Sequence, residues 1–237
     1  MTTLRILAAG SLKPLWPALM AEFGSTVETD FGPAGLLRER IVAGEGCDLF
    51  ASANLAHAED LLQRGLALKT GRFAANALCL TVKRDRVTEQ DDWLSLLARP
   101  DLTLATSTPR SDPSGDYTWQ LFAAIEQRHP GLGQQIQAKA CSLVGGTDSL
   151  AVPPGELAAS WLLAHHHADM FIGYASYAPR LSLLPTLQVF SIPAPYNIRA
   201  EYAWALCHPQ AMALADFLQS PAAQQILRQY GFLAVMD

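Results

Sequence analysis

The chain has 237 residues, of which 50% are hydrophobic and 16% charged, and its formal net charge at pH 7 is −5. This length permits one or two domains with a buried core, and the composition excludes extensive disorder. The scattered basic residues disfavour a nucleic-acid partner, since phosphate binding needs clustered Lys and Arg, and no apolar run reaches the ~18 residues that span a bilayer.

The first half of the chain alternates short apolar strands with amphipathic helices. The pattern predicts strands at LRILAA (4–9), TVETDF (26–31) and DLFASA (48–53), with helices over about 12–23, near 35–43 and after the third strand. Continuous apolar strands separated by helices are typical of a parallel sheet covered on both faces. The predicted fold class is therefore α/β.

The second half repeats this alternation. It contains strands at LTLATS (102–107), 141–144 and MFIGY (170–174), helices over about 115–127, from 156 and over about 209–218, and a last helix starting near Pro221.

Two long β-rich runs separate these halves, ANALCLTVKR (75–84) and IRAEYAWALC (198–207). If both runs cross between lobes, the chain builds one lobe, leaves it for a second and then returns. We therefore predict one discontinuous lobe from 1–81 plus 199–237, and another from 82–198.

Small or polar residues stand between a strand and a helix at four places. These are Gly10-Ser11, Gly32-Pro33-Ala34-Gly35, Asp112-Pro113-Ser114-Gly115 and Pro153-Pro154-Gly155-Glu156. Helix N-termini offer unpaired backbone N–H groups and a partial positive charge, and small residues let an anion approach them. Each turn alone is also ordinary helix capping, so the pattern by itself leaves both interpretations open.

Several ordered motifs resemble the molybdate/tungstate-binding (ModA-type) proteins of ABC importers. They are AAGSL (8–12), DLFASA (48–53), NALCLTV (76–82), IGYASYA (172–178) and SPAAQQILRQYGF (220–232). The resemblance runs over nearly the whole chain, and the last segment is the most specific. It implies a two-lobed fold like that of the type II periplasmic binding proteins, with the ligand in a cleft between the lobes.

The resemblance also implies which residues contact the oxyanion. They are Ser11 through its hydroxyl and N–H, Ala34 and Gly35 in the second turn, Ser114 through its N–H, Gly155 and Glu156, and Tyr174 through its hydroxyl. The turn at Ala34 lacks the serines that the bacterial members carry there. Asp112 and Glu156 resemble acidic residues of the archaeal branch, which implies carboxylate ligands to the metal centre. The motif is one residue longer here, so Asp116 is an alternative to Asp112.

Other chemistry-bearing residues fit ordinary structural roles. His165, His166 and His167 are predicted to project from a helix in three directions, which excludes joint chelation of one ion. Ser11 lacks the sequence context of a catalytic nucleophile. The cysteines Cys47, Cys79, Cys141 and Cys207 form no CxxC pair and leave the redox compartment open. We expect no enzyme activity and no resident cofactor.

The leading hypothesis is a monomeric binding protein that delivers molybdate or tungstate to the membrane permease of an ABC importer. The alternatives are a cytoplasmic oxyanion sensor or storage module, a binding protein for another small anion such as sulfate, and an enzyme on the same fold. Met1 is followed at once by the first strand, with no export signal. We expect a periplasmic or other extracytoplasmic location, with the signal removed, while a cytoplasmic location stays open.

Overall fold

The computed structural model of the protein describes residues 3–235. The strands are β1 (Leu4–Ala9), β2 (Val27–Gly32), β3 (Leu49–Ser52), β4 (Lys69–Asn76), β5 (Leu78–Lys83), β6 (Leu104–Ser107), β7 (Ala140–Val144), β8 (Met170–Tyr174), β9 (Leu187–Ser191) and β10 (Ala200–Leu206). The helices are α1 (Trp16–Phe23), α2 (Ala34–Val42), α3 (Leu55–Gln63), α4 (Trp93–Ala98), α5 (Pro113–Arg128), α6 (Leu132–Lys139), α7 (Ala158–Ala164), α8 (Ala178–Leu181), α9 (Met212–Leu218) and α10 (Pro221–Gln229). Among the residues described, no helix is both long and apolar enough to cross a membrane.

The chain divides into two compact units. The first comprises Met1–Asn76 with Ala200–Asp237, and the second comprises Ala77–Arg199. The first division falls after Asn76, whereas the sequence placed it after residue 81. The physical reason is that the run 75–84 is not one strand: β4 ends at Asn76 in the first unit, and β5 begins at Leu78 in the second.

The sheet of the first unit has the strand order β2-β1-β3-β10-β4. Strand β1 is parallel to β2 and β3, whereas β10 is antiparallel to β3 and β4. Ile6, Leu7 and Ala8 in β1 are fully buried. Because successive side chains of a strand point to opposite faces, the sheet is covered on both faces at β1, as the continuous apolar sequence predicts.

The sheet of the second unit has the corresponding order β7-β6-β8-β5-β9. Strand β6 is parallel to β7 and β8, and β5 is antiparallel to β8 and β9. All five residues of β8 are buried. In each unit, three parallel strands are followed by an antiparallel strand that comes directly after the chain has crossed from the other unit. The two sheets with their helices confirm the predicted α/β class.

Candidate functional site

The carboxyl ends of β1 and β2 bring two of the predicted turns together in the first unit. The strands pair in parallel with Ala9 opposite Gly32, so the turns that follow them start side by side. A Cβ placed on Gly10 would lie 3.8 Å from the carbonyl oxygen of Gly32. This register puts Ser11 and the start of α2 at the same edge of the sheet, where ligands of α/β sheets bind.

The hydroxyl of Ser11 is held by a tyrosine from a distant part of the chain. Ser11 lies in a short 3-10 turn directly after β1 and is buried. Its Oγ is 2.8 Å from the Oη of Tyr202, and either oxygen can be the donor. Tyr202 is in β10 and fully buried. If Tyr202 donates, the single proton of the Ser11 hydroxyl is available to a ligand.

The amino end of α2 has no side-chain cap. Its N-cap residue is Pro33, which makes no side-chain capping bond, and the first intrahelical bond runs from the Leu37 N–H to the Pro33 carbonyl at 3.0 Å. The N–H groups of Ala34, Gly35 and Leu36 precede that bond in the helix. Ala34 and Gly35 are buried. This helix end therefore presents small residues and main-chain donors beside Ser11.

The next helix in the same unit shows the opposite arrangement. Asn54 is the N-cap of α3, and its Oδ1 accepts a hydrogen bond from the Ala56 N–H at 2.8 Å. The Asn54 N–H in turn donates to the Oγ of Ser52 at 3.0 Å. The first N–H groups of α3 are therefore capped by a side chain, whereas those of α2 are not.

In the second unit, Asp112 occupies the amino end of α5. It is the N-cap residue, and its Oδ1 accepts the Ser114 N–H at 3.2 Å. Its side chain packs closely on the turn after β7, because a Cβ on Gly145 would come within 2.6 Å of the Asp112 Oδ2. The Ser114 N–H expected to contact the ligand therefore donates to Asp112 in this structure.

Burial controls the protonation of Asp112. Removal from water raises the pKa of this carboxyl to about 6, against opposing hydrogen bonds from the Ser114 N–H and the Ser107 side chain. Tyr177 lies close enough for the Asp112 charge, together with burial as the larger cause, to raise the pKa of its phenol. Asp112 is thus a carboxyl group with a raised pKa of about 6 at the carboxyl edge of β6 and β7.

Asp116, the alternative to Asp112, makes a different hydrogen bond. Its Oδ1 accepts the Arg110 N–H at 2.8 Å, and Arg110 adopts a left-handed φ of 70°. Burial raises the pKa of Asp116 as well. The same loop is fixed to β7 by Thr108, whose N–H and Oγ1 both donate to the Val144 carbonyl, at 2.9 and 2.8 Å. The loop between β6 and α5 is therefore held by hydrogen bonds to β7 and to the first turn of α5.

Gly155 and Glu156 are not at a helix start, which corrects the predicted helix from residue 156. Gly155 adopts a φ of 86°, and the Glu156 N–H closes a turn onto the Pro153 carbonyl at 3.1 Å. The helix α7 begins only at Ala158. Both predicted site residues are exposed, so this loop presents a turn where the sequence indicated a helix end.

Tyr174 is the last residue of β8 and is buried. It pairs with Leu78 across the antiparallel strands, and its carbonyl accepts the Cys79 thiol at 3.6 Å. Together with Ser107 at the end of β6 and Val144 at the end of β7, it marks the carboxyl edge of the parallel strands in the second unit. The structure thus places Tyr174 at the same edge as Asp112 and Ser114.

The three consecutive histidines differ from the prediction in their geometry. The helix α7 ends at Ala164, and His166 adopts a left-handed φ of 59°. As a result the rings of His165 and His167 both lie against Trp161, with centroid distances of 5.0 and 5.2 Å. Within residues 3–235, no group of three or more His, Cys, Asp or Glu side chains is arranged to hold a metal ion.

Residues 4–233 match the family model of the bacterial extracellular solute-binding proteins. The chain belongs to this family. It is 46% identical over 236 residues to the uncharacterized protein PM1146 of Pasteurella multocida, which covers 97% of this chain and 98% of that protein. Membership of a family of solute-binding proteins confirms the expectation that the chain is not an enzyme.

Two solved structures share the fold at low sequence identity. The periplasmic molybdate-binding protein of Azotobacter vinelandii has a TM-score of 0.77 and 20% identity, covering 98% of this chain and 100% of its own. The sulfate-binding protein SubI of Mycobacterium tuberculosis H37Rv has a TM-score of 0.79 and 20% identity, covering 99% of this chain and 88% of its own. The predicted periplasmic-binding-protein fold is confirmed by these similarities.

Proposed function

We propose that the chain binds a fully ionised tetrahedral oxyanion, molybdate or tungstate, and delivers it to the permease of an ABC importer. The observation that carries this proposal is the uncapped amino end of α2 beside the Ser11 hydroxyl. Main-chain N–H groups at a helix start bind anions without any Lys or Arg. Family membership supports the solute-binding role, and the molybdate-binding structural neighbour supports the choice of ligand to test.

Each unit contains residues that we propose as donors to the oxyanion. In the first unit the proposed donors are the Ser11 hydroxyl and the main-chain N–H groups of Ala34 and Gly35. In the second unit they are Ser114, Gly155 and Tyr174, and the Ser114 N–H must exchange its bond to the Asp112 Oδ1 for one to the ligand. The loaded protein would then dock on the permease. This mechanism implies a periplasmic or other extracytoplasmic location and a monomer.

The proposed donor set also supplies selectivity. Backbone N–H and hydroxyl groups can each donate to the oxygens of a dianion, whereas a protonated phosphate needs an acceptor for its own proton. Asp112, an acceptor at the start of α5, caps that helix by accepting the Ser114 N–H through its Oδ1. Sulfate carries no proton at neutral pH, so size alone separates it from molybdate, and it is the second candidate ligand.

We propose a capping role for Asp112 in preference to direct bonding to the metal centre. A carboxylate a few ångströms from a dianion is repelled unless it is protonated or bonded to the metal. Asp112 is held at the helix start by the Ser114 N–H and by close packing on Gly145. Glu156 is exposed in a turn before α7, so direct ligation by this pair requires the turn to rearrange.

Calorimetric titration with molybdate, tungstate, sulfate and phosphate tests the proposal. We expect a sub-micromolar Kd for molybdate or tungstate, which corresponds to more than ~8 kcal/mol, and at least a hundredfold weaker binding of phosphate. Tightest binding of sulfate would make the second candidate the correct one. No heat and no thermal shift with any oxyanion, beside clear binding of a sugar or amino acid, would rule out the proposed ligand class.

A further inference from the structure

Two cysteines of the first unit meet at the amino end of β3. Cys47 lies just before this strand, and Cys207 directly follows β10. The strands are antiparallel, with Leu206 opposite Leu49. The register continues beyond the strands, because the N–H of Cys207 donates to the Asp48 carbonyl at 2.9 Å. The main chain therefore places Cys207 beside the residues that precede β3, and the two thiols share a hydrogen bond.

The shared hydrogen bond makes the two thiols unequal. It lowers the pKa of Cys207, whose sulfur accepts the bond, and, together with burial, it raises the pKa of Cys47. Both side chains are half-buried, so a small reagent can reach them. A thiolate is the nucleophile in thiol–disulfide exchange. Because the hydrogen bond favours the thiolate form of Cys207, we expect Cys207 to be the attacking sulfur of this pair.

The other two cysteines differ in the features that matter for reactivity. Cys79 is buried in β5, and burial raises the pKa of its thiol to about 12. Cys141 is exposed in β7, and its thiol donates to the Lys139 carbonyl at 3.7 Å. These two residues serve as internal controls. Cys79 shows how a buried thiol reacts, and Cys141 shows how an exposed thiol reacts when no second thiol is in hydrogen-bond contact.

We propose that Cys47 and Cys207 are a dithiol site that a small disulfide such as oxidised glutathione converts to an intramolecular disulfide. The Cys207 thiolate attacks one sulfur of the oxidant, which forms a mixed disulfide and releases one glutathione thiolate. The Cys47 thiol then loses its proton and attacks the sulfur of Cys207, which releases the second glutathione. The protein loses two electrons and two protons, and the oxidant gains both as two glutathione thiols.

This bond would lie at the end of the sheet opposite to the proposed anion site. Ser11 follows the carboxyl end of β1, and β1 is parallel to β3, whereas Cys47 precedes the amino end of β3. The bond would also close a loop that contains the whole second unit. Long closed loops reduce the entropy of the unfolded chain. The disulfide is therefore expected to raise thermal stability and to leave oxyanion affinity unchanged.

Oxidation of the full chain by glutathione disulfide in chelator-containing buffer tests this proposal. Thiol titration after denaturation should fall from four thiols to two, and unreduced peptide mapping should join Cys47 to Cys207 with the loss of two hydrogens. We expect Tm to rise by on the order of 5–10 °C and to return to its starting value with dithiothreitol. Retention of both thiols while Cys141 is glutathionylated, or a bond to any other cysteine, overturns the proposal.

Single serine variants provide the matched controls. Cys47→Ser should stop at the mixed disulfide, so that Cys207 carries one glutathione, while Cys141→Ser should form the intramolecular bond as the unaltered chain does. If Cys47→Ser fails to fold, peptide mapping of the unaltered chain still decides the question. Because none of these readouts uses an oxyanion, a failure here is distinguishable from a failure of the proposed function.

Discussion

Ser11 is the side chain on which the proposed anion site depends most directly. Its hydroxyl is buried at the end of β1 and is oriented by Tyr202 across 2.8 Å. A hydrogen bond to a charged ligand contributes about 1.5–3 kcal/mol. We therefore expect Ser11→Ala to weaken molybdate binding roughly 10- to 100-fold in calorimetric titration, because one donor to the dianion is removed.

The matched control for this change is Ser142→Ala, which removes an exposed hydroxyl from β7 and should leave the Kd unchanged. Tyr174→Phe should weaken binding by an amount similar to that of Ser11→Ala. Unfolding curves must show that each variant keeps its folded state. If Ser11→Ala and Tyr174→Phe both retain full affinity, the site has been assigned to the wrong residues.

The protonation of Asp112 should make the proposed oxyanion binding depend on pH. Its pKa of about 6 lies above the ordinary value of an aspartate because the carboxyl is buried. The folded chain therefore holds this proton more tightly than the unfolded chain, and the stability that the group contributes below its ordinary pKa is lost as the pH rises through about 6. Over the same range the carboxyl becomes negative and repels a dianion.

We accordingly expect the affinity for molybdate to fall on the order of tenfold between pH 5.5 and pH 7.5. Asp112→Asn should strengthen binding at pH 7.5 and flatten this dependence, since the amide stays neutral. The measurement is a series of titrations across this pH range with both proteins. A sharp loss of affinity in Asp112→Asn would instead indicate that the carboxylate bonds directly to the metal centre.

At the scale of secondary-structure elements, one side chain holds the beginning of β5 in place. The Oδ1 of Asn197 accepts the N–H groups of Leu78 and Ile198, at 2.9 and 2.8 Å. Its Nδ2 donates to the carbonyls of Leu78 and Ile192, at 2.9 and 3.1 Å. Asn197 thus supplies the main-chain groups of Leu78 with the hydrogen bonds that a neighbouring strand would otherwise make. It does so where the chain enters and leaves the second unit.

Asn197→Ala should lower the free energy of unfolding by about 1–3 kcal/mol, because it leaves partly buried main-chain groups of Leu78 without their partner. Asn54→Ala is the comparison, since it removes the single capping bond of α3 at an exposed position and should cost about 1 kcal/mol. Urea denaturation of both variants measures the difference. An Asn197→Ala protein as stable as the unaltered chain would contradict this role.

Several elements could be predicted from sequence because their signal is local. MFIGY is an unbroken apolar run, and β8 has those same bounds. The start of α7 could not be predicted in this way. Pro153, Pro154 and Gly155 are residues that begin helices as readily as they form turns, and the left-handed φ of Gly155 commits them to a turn.

The residues that lie next to the predicted site residues cannot be identified from the local sequence. Tyr202 orients Ser11 from 191 residues away, and Tyr177, which follows β8, lies close enough for the Asp112 charge to act on the pKa of its phenol. Both proximities are consequences of sheet order, which places strands distant in sequence next to each other. A single sequence therefore identifies the turns that follow the strands, whereas the residues that orient their side chains require the topology.

At the scale of the whole chain, the net charge of −5 opposes the approach of an anion. A site made of main-chain N–H and hydroxyl donors provides only local compensation, so the long-range field of the protein stays repulsive towards a dianion. Salt screens this repulsion over a Debye length of about 30 Å at 0.01 M and about 10 Å at 0.1 M. The short hydrogen bonds inside the site are screened much less.

We therefore expect molybdate affinity to rise by a few-fold when potassium chloride is increased from about 0.01 M to about 0.1 M, mainly through a faster association rate. A site that holds its anion with Lys or Arg behaves in the opposite way, because salt weakens the attraction.

Arg110, exposed in the loop between β6 and α5, is the cation closest in sequence to the proposed donors of the second unit. Stopped-flow and calorimetric titrations at both salt concentrations, repeated with Arg110→Gln, separate these cases. If the molybdate affinity falls with salt in the unaltered chain but not in Arg110→Gln, the anion is held by Arg110, and the proposal of a neutral donor set is wrong.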